Sequence, residues 1–328
     1  MPSLLHVNGL KQYKFTIIIT IVTFFIFMIG HQRNFDLLVK AAYGVIEGKP
    51  HWIAYQNRIL GPYIVLAMSK LGLTYSTALK TYFFTTFLIE NLLLQSIAKT
   101  TLKLEERKVR IFMLRYCVLF LIFQDYWYYP WDSMDIIFFT LFANMILTQS
   151  RDVWIVLLFF IALLNRESAL FIAFYFIIRG INLNNAPKIT ISSINDVTIG
   201  LGLIVLGIAE TKIVRTLLFQ SKPDGTPDLQ HEMLGNFIVL KENLTLNLTL
   251  NKGWFFIAIT LGLLSLIYRK FNQNQKELFM IYVVIILSII TFAMIKESRV
   301  YLMLIPMFIL LFYTVPSMKR SNNHITDS

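Results

Sequence analysis

Long apolar runs separated by short polar segments cover almost the whole chain, and their lengths predict membrane helices. Roughly 20 apolar residues cross a bilayer as a helix, and the first such run extends from Phe15 to Gly30, behind Lys11 and Lys14. No small-residue cleavage site follows this run, so we expect a retained span rather than a signal peptide. Ten spans are predicted, at residues 14–30, 79–98, 110–124, 134–150, 152–164, 167–179, 197–215, 253–268, 277–295 and 299–316.

A further apolar stretch, residues 59–73, is interpreted as a juxtamembrane helix that dips into the outer leaflet. If this stretch crossed the bilayer, the basic loop at 103–108 would lie outside and every later loop would invert. Without that crossing, the inner segments hold 15 Lys and Arg in 69 residues, and the outer segments hold 12 in 105. A higher basic density is expected on the cytoplasmic side, so both termini are predicted to be cytoplasmic.

Composition excludes a soluble protein. Apolar residues make up 56% of the chain and charged residues 15%, with a mean hydropathy of +0.62, whereas soluble domains carry about 25% charged residues. The single cysteine, Cys117, excludes an intramolecular disulfide. The net charge of +11 fits basic cytoplasmic loops better than nucleic-acid binding. The sequence therefore predicts an all-α polytopic membrane protein with ten spans, one transmembrane domain over residues 1–328, and outer loops at 31–78 and 216–252.

The first outer loop combines a predicted surface helix with an isolated arginine. Asp36 begins a segment whose apolar residues at 37, 38, 41, 45 and 46 share one side of a helix, so this segment is predicted to lie on the bilayer surface. Gly48 and Pro50 end the segment. Arg58 then begins the dipping helix, where a snorkelling interface anchor is the alternative to a binding role.

Aromatic and acidic residues surround the entry to the predicted span at 134–150. The stretch 125–135 contains five aromatic residues, Trp131 among them. Such residues are typical of an interfacial belt, and they can also stack on sugar rings. Asp132 and Asp135 are three residues apart and therefore lie on one face of the helix. Helix capping explains one of these carboxylates but not both.

Two short polar corners carry further charges at membrane depth. One is Asn165-Arg166-Glu167-Ser168, and the other is Lys296-Glu297-Ser298-Arg299. Ionisable residues at such depth indicate a functional site, although an ion pair between two short helices would also explain Arg166 and Glu167. Arginines suit phosphate groups, and carboxylates suit sugar hydroxyls, a divalent cation or a general base. A substrate with a lipid tail, a phosphate and a polyol would use all of these groups.

The order of these elements resembles the GT-C class of membrane glycosyltransferases, over essentially the whole chain. The likeness rests on the acid after span one, the surface helix ending in Gly-x-Pro, the re-entrant helix with its arginine, the acids in the aromatic turn and the two polar corners. These motifs are short. The small single-module bacterial members use polyprenyl-phosphate sugar donors and lipid-linked glycan, polysaccharide or protein acceptors. The resemblance thus implies a transferase at the outer face of the cytoplasmic (inner) membrane.

The resemblance also implies roles for individual residues. Asp36 matches the first-loop acid, which acts as catalytic base or metal ligand. No second acid stands beside Asp36, so a dependence on Mg²⁺ or Mn²⁺ stays open. The residues expected to bind the donor phosphate are Arg58, Arg166, Lys296 and Arg299. The residues expected to bind the acceptor or sugar are Asp132, Asp135, Glu167, Glu297 and Trp131.

Two other functions remain open from the sequence. A lipid-linked oligosaccharide flippase or proton-coupled carrier would use Glu90 and Glu210, which lie within predicted spans; an interhelical hydrogen bond is their other explanation. A transporter should carry charges at the midplane and on both faces, whereas the charges here are concentrated at the outer surface. An O-antigen-type polymerase would use a large outer loop rich in arginine, and the loop at 216–252 contains no arginine.

Overall fold

The computed structural model describes residues 8–52, 55–125, 127–181, 191–219, 238–245 and 251–315. Within these ranges the regular structure is helical, and β-type pairing is limited to a single bridge between Ile181 and Ile191. The described part of the chain therefore confirms the all-α class predicted from the sequence. Its α-helices are α1 Asn8–His31, α2 Phe35–Ile46, α3 Leu60–Ser69, α4 Tyr75–Thr100, α5 Glu106–Phe123, α6 Pro130–Leu147, α7 Asp152–Leu163, α8 Leu170–Arg179, α9 Ile194–Leu218, α10 Ile238–Thr245, α11 Lys252–Ile267, α12 Gln273–Phe292 and α13 Leu304–Thr314.

Several helices begin at a polar residue whose side chain accepts a backbone hydrogen bond. Thr74 caps α4, Ser193 caps α9 and Asn251 caps α11. At the start of α12, Asn272 and Gln275 form a reciprocal capping box, with N···O distances of 2.8 and 3.0 Å. These caps satisfy N–H groups that every helix start leaves unpaired, so the local sequence sets these boundaries.

The middle of the bundle is formed around α6, which contacts α3, α4, α7, α12 and α13. Every residue of α13 from Leu304 to Leu311 is buried. Helices α4 and α6 also bury polar side chains, including Glu90 and Asn91 on α4 and Asp132 and Asp135 on α6. Buried polar groups are costly unless they are hydrogen-bonded, so these four residues need partners inside the bundle.

Four helical segments among the described residues are long and apolar enough to cross a membrane. They are Tyr13–Ile46, Ile194–Leu218, Lys252–Lys270 and Gln273–Phe292. Helix length and composition therefore support membrane association but do not establish the predicted ten spans. The shortfall has a physical reason, because α4 and α6 carry polar residues into the bundle, while α7 and α8 have only 12 and 10 residues.

The helices of the first outer loop differ from the sequence prediction in one detail. The helix containing Asp36 is present as α2, and α3 has only ten residues, about half the length needed to cross a hydrocarbon core. The buried side of α2 is formed by Phe35, Leu38, Ala42 and Val45. Leu37, predicted on the apolar side, is 47% exposed. The face is rotated because α2 packs on α3 and α4.

Candidate functional site

Three polar segments that are far apart in the sequence meet at one end of the helical bundle. They are the start of α6, the corner between α7 and α8, and the turn between α12 and α13. Their charged side chains are in direct contact, and we call Asp132, Asp135, Arg166 and Arg299 the charged cluster. The convergence predicted for these segments is therefore present in the structure.

Asp132 is the most heavily paired carboxylate of the charged cluster. Pro130 begins α6, and the Asp132 side chain turns back so that Oδ2 accepts a hydrogen bond from the Tyr129 N–H at 2.9 Å. Oδ1 accepts a hydrogen bond from Arg166 Nη1 at 3.1 Å, and Oδ2 lies 3.6 Å from Arg299 Nη1. Asp132 is 3% exposed, so its helix-capping role and its ion pairs occur together in a buried position.

Asp135 has no capping role, which agrees with the argument that capping explains only one of the two acids. One turn further along α6, its carboxylate accepts hydrogen bonds from Asn165 Nδ2 at 2.9 Å and from Ser168 Oγ at 3.1 Å. Arg166 Nη1 lies 3.3 Å from Oδ2. Asn165 also donates to the Trp131 carbonyl at 2.8 Å, so the polar corner after α7 is fastened to the first turns of α6.

The turn between α12 and α13 brings Arg299 to the same place. Its guanidinium donates to Glu297 Oε2 at 3.0 Å and lies over the Tyr129 ring, with Cζ 4.8 Å from the centroid. Glu297 is thus joined to the charged cluster through Arg299. Lys296 is exposed, and none of the ion pairs among the described residues includes it. The expected phosphate-binding role of Lys296 therefore has no contact to support it.

Arg58 is buried beside the charged cluster without a carboxylate partner. It is 7% exposed, and its Cζ lies 5.1 Å from the Tyr55 ring centroid and 5.3 Å from that of Trp131. Its Nε has no hydrogen-bond partner among the described residues. Burial, together with the nearby positive charge of Arg166, lowers the pKa of Arg58 to about 10. Arg58 stays protonated at neutral pH, so the site holds a buried cation that no carboxylate of the described residues contacts directly.

The loop that carries Arg58 is fixed to both neighbouring segments. The N–H groups of Ile59 and Leu60 donate to the Leu164 carbonyl at 3.1 and 2.9 Å, which ties the loop to the end of α7. Gly61 lies against the start of α6, since a Cβ at this position would come within 2.8 Å of Pro130 Cβ. Arg58 is therefore held by backbone contacts on two sides.

Arg215 is a site residue that sequence reasoning missed. It lies in the last turn of α9, donates to Glu167 Oε1 at 2.7 Å, and reaches Asn57 Oδ1 at 3.4 Å. Arg215 is the last residue of the predicted span at 197–215, and a charge at that depth was the one available signal. Asn57, Asn165 and Ser168 were likewise not singled out, because their roles depend on contacts between distant segments.

Two predicted residues are placed differently from what their roles require. Asp36 is exposed at the start of α2, and no hydrogen bond or ion pair joins it to another described residue, so its catalytic role stays a prediction. Trp131 is fully buried, with its ring stacked on Tyr129 at 4.7 Å between centroids. In this conformation Trp131 supports Arg58 and has no free ring face for a sugar. Trp127, whose ring centroid lies 6.5 Å from that of Tyr129, is 38% exposed.

A narrow crevice, too small to hold a water molecule, lies against the charged cluster. Its walls are the four cluster residues together with Val300, Leu302 and Met303. Both carboxylates face this crevice, but Arg166 occupies them. Among the residues that the structure describes, no group of three or more His, Cys, Asp or Glu side chains is arranged to hold a metal ion. The dependence on Mg²⁺ or Mn²⁺ stays open.

This arrangement can bind an anion at the buried arginines and can accept hydrogen bonds from hydroxyl groups at the carboxylates. Similarity to known proteins adds nothing to this reading, since the chain matches no protein-family model, no curated protein and no solved structure.

Proposed function

We propose that the protein is a membrane glycosyltransferase of the GT-C type that transfers a sugar from a polyprenyl-phosphate donor to a lipid-linked glycan or cell-envelope polysaccharide. The supporting observation is Arg58, a buried guanidinium that forms no ion pair among the described residues and lies close to a buried pair of carboxylates. Burying a charge without a direct ion pair is costly, and a bound phosphate would reduce that cost. The carboxylates provide the acceptors that sugar hydroxyls need.

The proposed reaction is an inverting displacement at the anomeric carbon of the donor sugar. An acceptor hydroxyl oxygen forms the new bond to that carbon while the bond to the phosphate oxygen breaks, and the hydroxyl proton passes to a carboxylate. Polyprenyl phosphate leaves with the electron pair, and buried guanidinium groups stabilise its charge. Asp36 remains the proposed base. Because it is exposed in the structure, an acceptor would have to bind between α2 and the charged cluster.

The proposed location is the cytoplasmic (inner) membrane, with both termini cytoplasmic and the charged cluster at the outer face. The support is the charge asymmetry of the loops and the presence of helices long enough to cross a bilayer. In this orientation the crevice beside Arg166 and Arg299 would open to the periplasm or the cell exterior, where lipid-linked glycans are assembled.

A donor-turnover assay tests the proposal. The full chain in nanodiscs receives a panel of polyprenyl-phosphate sugars, with and without membrane extract as acceptor source, and free polyprenyl phosphate is quantified. Release should occur with one donor and should be lost in Asp36→Asn and Arg58→Gln, while the exposed Glu105→Gln serves as matched control. Release that survives both site variants would contradict the assigned residues. No release from any donor, with extract present, would contradict the enzyme.

The transporter alternative is favoured by one observation, which concerns Glu90. This residue is 2% exposed on α4, its Oε1 accepts a hydrogen bond from Thr140 at 2.7 Å, and its Oε2 has no partner among the described residues. A proton-coupled carrier requires such a buried carboxyl group. Movement of a fluorescent lipid-linked sugar across proteoliposomes, lost in Glu90→Gln and without release of polyprenyl phosphate, would establish this alternative instead.

A further inference from the structure

The unpaired hydrogen-bond donors near Arg58 form a group that the charged cluster does not explain. Arg58 Nε, Asn57 Nδ2, Arg215 Nε and Trp131 Nε1 are all buried, and none of them has a hydrogen-bond partner among the described residues. Buried polar atoms are nearly always hydrogen-bonded in proteins. These four atoms are all donors, whereas one unpaired buried acceptor, Asn165 Oδ1, lies on a residue that contacts Trp131. The excess of donors over acceptors among these described residues indicates a missing acceptor.

Contacts between successive pairs link these four residues. Residues 57 and 58 are adjacent in the chain, Arg58 lies over the Trp131 ring, and Arg215 Nη2 reaches Asn57 Oδ1 at 3.4 Å. Asn57 is 1% exposed. Through this contact Asn57 links the loop before α3 to the last turn of α9.

Arg166 and Arg299 differ from Arg58 and Arg215 in the number of carboxylates that pair with them. Arg166 and Arg299 are each paired with Asp132, and Arg299 is also paired with Glu297. Arg215 is paired with Glu167 through Nη2 only, which leaves its Nε available. Arg58 has no ion pair among the described residues. An incoming anion would therefore meet at Arg58 a guanidinium that forms no ion pair among the described residues, whereas at Arg166 or Arg299 it would compete with the buried carboxylate of Asp132. Arg299 Nη1 lies 3.6 Å from Asp132 Oδ2 and is also a buried donor without a hydrogen-bond partner among the described residues.

We infer that Asn57, Arg58 and Arg215 form one site for the phosphate of a lipid phosphate ester, while Arg166 and Arg299 remain with Asp132. The anion site follows from the unpaired donors, and the lipid-phosphate identity of the ligand rests on the proposed function. Phosphate oxygens accept several N–H donors at once, and guanidinium groups bind them in two-pronged fashion. This proposal differs from the prediction that Arg58, Arg166, Lys296 and Arg299 all bind the donor phosphate.

The test measures binding without any transfer reaction. The full chain in a maltoside detergent, which contains no phosphate, is titrated calorimetrically with farnesyl phosphate, farnesol and inorganic phosphate. Wild type should bind farnesyl phosphate, and farnesol should give no saturable heat because it lacks the anion. Inorganic phosphate should bind more weakly because it lacks the lipid tail. Equal affinity for inorganic and farnesyl phosphate would overturn the lipid part of the inference.

Substitutions test which residues bind the phosphate. Arg58→Gln and Arg215→Gln should each weaken farnesyl phosphate binding by about tenfold or more, the effect of losing a charge-assisted hydrogen bond, and Asn57→Ala should weaken it less. The exposed Arg269→Gln is the matched control. If either glutamine variant fails to fold, Arg58→Lys and Arg215→Lys replace them, since both keep the charge and lose the two-pronged contact. Unchanged affinity in the folded variants would overturn the site.

The variant Asp132→Asn distinguishes phosphate binding at Arg58 and Arg215 from phosphate binding at Arg166 and Arg299. If the phosphate binds at Arg58 and Arg215, removing the Asp132 carboxylate should change the affinity by less than about threefold. The only effect would then be the loss of the long-range repulsion between that carboxylate and the phosphate. A tightening of about tenfold would show that phosphate competes with Asp132 for Arg166 and Arg299, and would overturn the assignment. Saturable binding in a protein that transfers no sugar would contradict the enzyme and leave the anion site intact.

Discussion

Asp132 and Arg166 form a buried ion pair, with 3.1 Å between Oδ1 and Nη1, that joins the start of α6 to the corner between α7 and α8. The two residues are 34 positions apart in the chain. Asp132 is 3% exposed and the Arg166 side chain 20%, so the pair is shielded from solvent on the carboxylate side. Its contribution to stability and its contribution to function are separable by mutation.

Removal of the arginine should destabilise the protein. Arg166→Ala leaves Asp132 and Asp135 without their shared cation, and a broken buried pair costs about 3–5 kcal/mol. Arg166→Lys should cost less because it keeps the charge. Thermal unfolding in detergent measures both variants. A melting temperature of Arg166→Ala equal to that of wild type would show that Arg299 and Asn165 hold the carboxylates without Arg166.

Gly61 should be intolerant of a side chain. A Cβ there would meet Pro130 Cβ at 2.8 Å and the Pro130 backbone carbon at 3.0 Å, so Gly61→Ala must displace the loop that holds Arg58. We expect weaker farnesyl phosphate binding and a lower melting temperature. Gly202→Ala on α9 is the matched control, because nothing lies within 4 Å of its Cβ. It should stabilise its helix by about 1 kcal/mol. Equal behaviour of the two variants would refute this packing argument.

Substitutions of Trp127 and Trp131, both in the stretch 125–135, should affect different properties, one acceptor binding and the other folding stability. Trp131→Ala removes a fully buried ring and should cost about 3–5 kcal/mol of folding stability. Trp127 is 38% exposed, so Trp127→Ala should leave the melting temperature nearly unchanged while raising the acceptor concentration needed for half-maximal transfer. Thermal melts and acceptor titrations measure these effects. A large loss of stability in Trp127→Ala would show that its ring is structural.

The predicted topology can be tested with engineered cysteines. Lys103 and Lys296 are both exposed and are predicted on opposite sides of the membrane. In a Cys117→Ala background, Lys296→Cys should react with a membrane-impermeant maleimide added to intact spheroplasts, and Lys103→Cys should react only after lysis. Cys117 itself is 2% exposed and should be silent. The reverse labelling pattern would place the charged cluster on the cytoplasmic side.

Hydrophobic periodicity and end signals in the sequence predicted the positions of the α-helices of the described residues except α10, which lies in the predicted outer loop at 216–252. The helix after Asp36, the capping of α6 by an acid near Pro130 and the short helices on either side of Asn165 all follow from local patterns. Such features depend on contacts within a few residues of each other. The same patterns identified the polar corners as unusual, because charge at membrane depth is visible in a linear sequence.

Only the tertiary structure decided which charges meet. Arg215 joins Glu167 across 48 positions and Asn57 across 158, and Trp131 turns into the core beneath Arg58 instead of facing a ligand. These outcomes depend on the rotation of each helix about its axis and on its neighbours. A linear pattern fixes which residues share a face, whereas packing between distant helices selects the partner of that face.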